Sequence, residues 1–231
     1  MQPKSTALKI LDISSVLLLA IATYLALAFA PTEAVMGQVQ RVFYFHVGTA
    51  WTALLGFIFA AGLGIAYLRT QNRKWDIAEA AAVEISSVFF LITIIFGSIW
   101  ARPVWGTWWT WDPRLTTASV TELIYIAYFM LREGIEDPDR RARFGAIYTL
   151  IGSVSAPITF FAIRLARTIH PVVIGSGDPN AQTFAMTPRM EVAFFFALFT
   201  FTVIFIDLFW NRIRMGQLAE KVEQLKLNIT Q

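Results

Sequence analysis

Six long apolar stretches constrain this chain more than anything else in it. They run Ile10–Ala30, Phe43–Leu68, Ile77–Trp100, Leu115–Leu131, Phe144–Ile163 and Glu191–Trp210. Each is close to the roughly 20 residues that cross a bilayer as a helix. They are too long and too continuously apolar for the alternating strands of a membrane barrel. Charged residues make up only 15% of the chain, where a soluble domain carries about 25%. The expectation is an all-α, polytopic membrane bundle of six transmembrane helices, forming one domain over residues 1–231. The polar stretches between the spans are too short for a second, soluble domain.

The N-terminus imitates a secretion signal, with Lys4 and Lys9 ahead of an apolar run and Ala28-Phe29-Ala30 resembling a cleavage site. The run is longer than a signal core and Pro31 follows directly, so a retained first helix is expected. Lys and Arg then set the orientation. With the N-terminus inside, thirteen of these residues fall in inner segments and six in outer ones. Both termini are therefore expected in the cytoplasm. Leu218, Val222 and Leu225 recur at helical spacing in the tail, which predicts a short amphipathic helix resting at the membrane interface.

That topology places the unusual residues together. The second outer loop holds Trp105-Gly106-Thr107-Trp108-Trp109-Thr110-Trp111-Asp112-Pro113-Arg114, four tryptophans in seven positions. Interfacial membrane belts use single Trp residues. A dense cluster ending in Asp112 and Arg114 suits a broad apolar platform, over 101–116, for a large planar ligand. Pro103 and Gly106 are expected to break the preceding helix. Trp105, Trp108 and Trp109 would share a face if the loop is helical. Asp112 followed by Pro113 is an N-cap signal for the fourth helix.

The chain has two histidines, His46 and His170, both predicted on the outer face. Ligands from separate loops can approach a haem iron from opposite sides. A zinc site would need three or four ligands in close array. The chain has no cysteine, which excludes thiol redox chemistry, cysteine-ligated metal and covalent haem attachment through Cys-x-x-Cys-His. Porphyrin propionates favour Arg, and Arg41 and Arg114 are the best placed, with Arg164 and Arg167 next.

Glu84 and Glu122 fall within apolar spans, where a carboxylate is a functional candidate by default. Glu122 is expected to pair with a Thr or Ser, and Asp207 to meet water. Pro157 near Gly152, Ser153 and Ser155 predicts a kink. Gly175-Ser176-Gly177-Asp178-Pro179 reads as a turn without the Gly-Lys-Ser/Thr ending of a phosphate loop, so ATP hydrolysis is not encoded here.

The Trp105–Thr116 run resembles the WWD signature of the haem-handling proteins of cytochrome c biogenesis. The size, six spans, and one His before and one after the signature are similar to the CcmC branch. The likeness is sharp at 105–116, fair at Arg41-Val42-Phe43-Tyr44-Phe45-His46 and weaker at Thr168-Ile169-His170. It implies a bacterial inner-membrane protein, not an enzyme, that holds haem b non-covalently and transiently at the periplasmic face. Trp105, Trp108, Trp109, Trp111, Asp112, Arg114 and Arg41 would bind the cofactor, and His46 and His170 would ligate the iron. It also implies delivery to a periplasmic haem chaperone of CcmE type, beside an ATP-binding cassette subunit and small membrane subunits of CcmA, CcmB and CcmD types. Two alternatives stay open at this point: a b-type cytochrome linked to quinone, and a permease subunit of a haem exporter.

Overall fold

The computed structural model describes residues 3–34, 36–171 and 186–229, and the described residues form an all-α bundle. Helix α1 is Thr6–Tyr24, ending in a π-helical turn over Leu25–Phe29. It is followed by α2 (Gln40–Thr70), α3 (Arg73–Trp105), α4 (Pro113–Glu133), α5 (Pro138–Gly152), α6 (Ser155–Leu165) and α7 (Pro188–Ile229). Helices α5 and α6 are one span interrupted at Ser153 and Val154, three residues before Pro157, as the Gly-Ser-Pro pattern predicted. Five spans are long and apolar enough to cross a membrane: α1 with its π turn, α2, α3, α5 with α6, and α7. Helix α4, at 21 residues, is long enough, but Arg114, Thr116, Thr117, Ser119, Thr121 and Glu122 dilute its apolar run.

The burial pattern is that of a protein whose solvent is lipid. Leu17, Ile58, Leu91 and Phe199 face outward, while Ser86, Thr93, Thr121, Thr149 and Thr159 are buried between helices. Lipid offers no hydrophobic reward for packing helix on helix, so small residues and interhelical hydrogen bonds make the contacts. Helices α2 and α3 form the central hairpin, joined by Gln71 in the left-handed region and by Asn72, whose side chain caps α3 at Lys74 N (3.0 Å). Their backbones approach closely: a Cβ at Gly56 would lie 2.1 Å from Ser86 Oγ. Helices α5 and α7 also pack on α2, α4 packs on α5 and α6, and α1 packs on α7. The Phe57 and Tyr125 rings stack at 3.7 Å and join α2 to α4.

Four sequence expectations need correction. Pro103 does not break its helix, because α3 continues to Trp105 before Gly106, at φ +73°, ends it. Glu84 is no buried site; it is half exposed and pairs with Arg212 at 2.7 Å. Asp207 is buried and accepts from Asn211 Nδ2 at 3.0 Å, because α1 covers it. The amphipathic tail is no separate surface helix: it continues α7 without a break to Ile229. The predicted turn at Gly175–Pro179 lies outside the described residues.

Candidate functional site

At one end of the bundle α2, α3, α4 and α6 splay around an apolar cleft. Each helix brings one face to it by simple periodicity. His46, Ala50 and Leu54 line it from α2, and Phe90, Thr93, Ile94 and Gly97 from α3. Arg114, Leu115 and Ala118 come from α4 and Thr159 from α6. Trp100, Trp105, Trp108, Trp109 and His170 surround the mouth.

The histidines, 124 positions apart in sequence, meet here. Their ring centroids are 6.2 Å apart, with the planes inclined by 36°. His46 Nδ1 lies 2.9 Å from the Thr93 carbonyl, and His170 Nδ1 lies 3.1 Å from the Pro171 carbonyl. A carbonyl can only accept, so Nδ1 carries the proton in both rings and Nε2 keeps its lone pair. A backbone carbonyl on the far nitrogen is the usual support of a metal-ligating imidazole. Burial, then the charge of Arg114 and the neighbouring His46, push the His170 pKa down to about 3. His170 is therefore neutral, the form that can ligate, at any ordinary pH.

The sequence around each histidine accounts for its position. The Thr93 carbonyl lies within α3, and its hydroxyl is bonded to Thr49 Oγ1 across the α2–α3 interface at 2.8 Å. Gly97, one turn later, makes room for the imidazole: a Cβ there would sit 2.9 Å from His46 Cε1 and 3.1 Å from Nδ1. His170 is held by a strap. Asp112 Oδ1 caps α4 by accepting from Leu115 N at 2.9 Å, as the Asp-Pro signal predicted. Asp112 Oδ2 accepts from the Thr168 hydroxyl and from Ile169 N (3.2 Å). Thr168 Oγ1 in turn accepts from His170 N at 3.1 Å. One carboxylate thus ties the Trp loop to the histidine loop.

Of the remaining sequence candidates, Trp105, Trp108, Trp109 and Arg114 come together and two do not. The loop after Gly106 is not helical, yet Trp105, Trp108 and Trp109 still converge on the cleft. Trp111 is 76% exposed, packs edge-on against Trp109 and does not line the cleft. Arg41 also lies outside it. Five residues of helix turn Arg41 about 140° around α2 from His46, and its Nη2 donates to Thr32 Oγ1 at 3.4 Å. Arg114 faces the cleft while its Nη1 donates to the Thr159 and Phe160 carbonyls. Glu122 is buried in the bundle, but its Oε2 has no hydrogen-bond partner, so the expected hydroxyl pairing is not made there. Sequence reasoning missed Thr93, Gly97 and Trp100. Only Gly97 left a trace, as a glycine inside an apolar helix, where close approach is a standard reason for one.

The donor set is one-sided. The indole Nε1 of Trp100 and of Trp109 are buried without a hydrogen-bond partner among the described residues, and Arg114 adds a cation. All three can only donate, so the cleft asks for a ligand carrying acceptors or negative charge. Among the described residues no three His, Cys, Asp or Glu side chains converge. Two neutral imidazoles in an aromatic cleft suit a metal already held in a planar ring. Two metal–nitrogen bonds of about 2 Å each plus two half-rings also come to about 6 Å.

A polytopic helical membrane protein with a two-histidine, tryptophan-walled cleft at one end is the class defined by these features. Comparison with known proteins narrows it: the profile of the Heme exporter protein C family, CcmC, matches residues 1–228, and the chain belongs to that family. It is 31% identical to Heme exporter protein C of Bradyrhizobium diazoefficiens, over 93% of this chain and 80% of that protein. It is 32% identical to a ccmC-like mitochondrial protein of cytochrome c biosynthesis from Marchantia polymorpha, over 90% of this chain and 88% of that one. Heme exporter protein C of Escherichia coli K12 matches at 30%, over 88% of this chain and 81% of its own length.

Proposed function

We propose that this protein holds haem b non-covalently in the cleft and passes it to a periplasmic haem chaperone for cytochrome c maturation. His46 and His170 are the axial ligands, offered through Nε2 from α2 and from the loop after α6. Trp105, Trp108 and Trp109 cover the faces and edge of the ring. Arg114 and the Trp100 and Trp109 indole N–H groups meet the propionates. Asp112 acts through Thr168 to position His170 and does not touch the ligand. The protein transforms nothing; it binds, orients and releases.

The chain acts as one domain in a bacterial inner membrane, with both termini cytoplasmic and the cleft facing the periplasm. Its working partners are a CcmE-type chaperone, an ATP-binding cassette subunit and small membrane subunits of CcmA, CcmB and CcmD types. This agrees with relatives named Heme exporter protein C.

The observation that carries the reading is the pair of imidazoles 6.2 Å apart, each with Nδ1 committed to a backbone carbonyl. The test is the absorption spectrum of the detergent-purified protein loaded with haem. The wild type should give a low-spin, six-coordinate spectrum. His46→Ala and His170→Ala should each convert it to a five-coordinate form or lose the haem. Wild-type spectra in both variants would overturn the assignment.

A further inference from the structure

Helix α4 crosses the bundle with a polar stripe turned inward. Arg114, Thr121, Glu122, Tyr125, Tyr128 and Arg132 all fall on one side of it. Both ends of the stripe are satisfied. Arg114 donates to the Thr159 and Phe160 carbonyls, and Thr121 Oγ1 bonds Thr159 Oγ1 at 2.9 Å. At the other end Tyr128 donates to Glu79 and Arg132 to Asp76. The middle is unsatisfied. Glu122 is only 8% exposed, and neither its Oε2 nor Tyr125 Oη has a hydrogen-bond partner among the described residues.

The same deficit appears on α3. The Tyr128–Glu79 and Arg132–Asp76 pairs fix the antiparallel register of α3 and α4. Counted back from Tyr128 in that register, Glu122 comes level with Ile85 and Ser86. The Oγ atoms of Ser86 and Ser87 are also buried without a hydrogen-bond partner among the described residues. This level lies directly below the cleft. Ala118, one turn from Glu122, lines the cleft, and so does Phe90, one turn beyond Ser86. The Cα–Cβ bond of Glu122 tilts toward the N-terminus of α4, which is the cleft end.

An unpaired charged carboxylate inside a membrane bundle is costly, and a carboxyl retained there is a functional group by default. Among the described residues no charged side chain faces Glu122 from α2, α3, α5 or α6. Below it stand Tyr125 and then Glu79 and Tyr148; above it, in the cleft, stand Arg114, His46 and His170. The one charge that changes nearby is that of a ligand in the cleft. Neutral imidazoles add no charge, so a ferric iron in a porphyrin ring keeps a net positive charge and a ferrous iron keeps none. A positive charge close by favours the carboxylate, and its removal favours the carboxyl.

We infer that Glu122 is a proton site governed by the oxidation state of the haem held above it, an inference that rests on the function proposed above. With ferric haem in the cleft, Glu122 gives its proton to water. On reduction of the iron by a one-electron donor, Glu122 takes one proton back from water. Electron and proton enter together, so the summed charge of iron and carboxyl stays constant. The Ser87 and Tyr125 hydroxyls at this level suit either state, because a hydroxyl donates to a carboxylate and accepts from a carboxyl.

The test is a redox titration of the haem-loaded full chain in detergent, followed by absorption at several pH values. At fixed potential the ferrous-to-ferric ratio of the wild type should fall by up to about tenfold for each unit rise in pH, as one proton per electron requires. Glu122→Gln should lose most of that dependence. Glutamine has nearly the same shape and Glu122 touches no ligating histidine, so the variant should keep its six-coordinate spectrum. Reduction of the wild type should also raise the infrared carbonyl band of a protonated carboxyl, shifted by isotope-labelled glutamate and missing from Glu122→Gln. Equal pH dependence in the two proteins, no such band in the wild type, or loss of haem from the variant would overturn the inference alone. Failure of the wild type to form a six-coordinate haem complex would overturn the proposed function and this inference with it.

Discussion

The two ends of the bundle both bury polar groups among apolar helices, and they treat them oppositely. At the end near the α2–α3 turn, Glu79 accepts from Tyr128 at 2.8 Å and from the Thr149 hydroxyl, and pairs with Arg132 at 3.4 Å. Arg132 also bonds Asp76 at 2.7 Å, and Arg73 closes on Asp76 at 3.1 Å. Each carboxylate there has a cationic partner. At the cleft end, two imidazoles keep a free nitrogen and, among the described residues, two buried indole N–H groups have no hydrogen-bond partner, while Arg114 bonds only backbone carbonyls there. A closed network fixes helices in place; convergent groups with unused valence around a cavity are what a ligand needs.

Breaking the closed network should give the largest effect. Arg132→Ala leaves Glu79 buried without its cation and Asp76 with Arg73 alone, a loss of about 3–5 kcal/mol. Thermal unfolding in detergent should register it as a marked drop in Tm, while the folded fraction keeps its haem spectrum. Equal loss of haem binding and stability would show that the two ends are not separable.

The strap comes next. Asp112→Ala removes a helix cap worth about 1 kcal/mol and frees the His170 loop. Loss of an outer-shell partner typically weakens metal binding about 10–100-fold. Haem titration should find that drop with only a small change in Tm. Asn at position 112 retains the cap through Oδ1, so Asp112→Asn separates the cap from the strap.

Gly97→Ala is smaller and more local. The added methyl meets the His46 ring, which must shift by tenths of an ångström. Weaker haem affinity of about tenfold, the low end of what disturbing a ligand's supporting contacts gives, is expected, with a broadened six-coordinate spectrum. An unaffected spectrum would mean the ring relaxes freely. The smallest effect is that of pH. An ordinary histidine titrates near 6.5, whereas burial and Arg114 hold His170 down to about 3. A lowered pKa favours the neutral ligand, so the six-coordinate spectrum should persist as pH falls from about 8 to about 5. A transition near 6.5 would place His170 in water.

Much of this contrast was legible in the residues. Six apolar runs announced the spans, and the Asp112-Pro113 step announced the start of α4 to the residue. The Trp run and the two histidines marked the cleft because those residue types are scarce elsewhere in the chain. What could not be read were the partners supplied by distant helices. Thr93 contributes through a carbonyl, which every residue possesses, so no side-chain pattern betrays it. Arg41 looked suitable by proximity in sequence, but the turn of the helix leaves it outside the lining of the cleft. The Glu79 cluster was hidden because its acids and its arginine lie 53 and 56 positions apart and meet only after α3 and α4 pack.

The Asp112 strap has a consequence for the order of events during synthesis. Its acceptor leaves the ribosome 56 and 57 residues before its donors at Thr168 and Ile169. His46 emerges earlier still, and His170 follows only after α6. A chain interrupted between Trp111 and that point carries the tryptophan run and one imidazole, but no clasp. If the cleft takes haem as proposed, capture through both imidazoles waits until α6 and the loop after it are made, with α7 alone to follow.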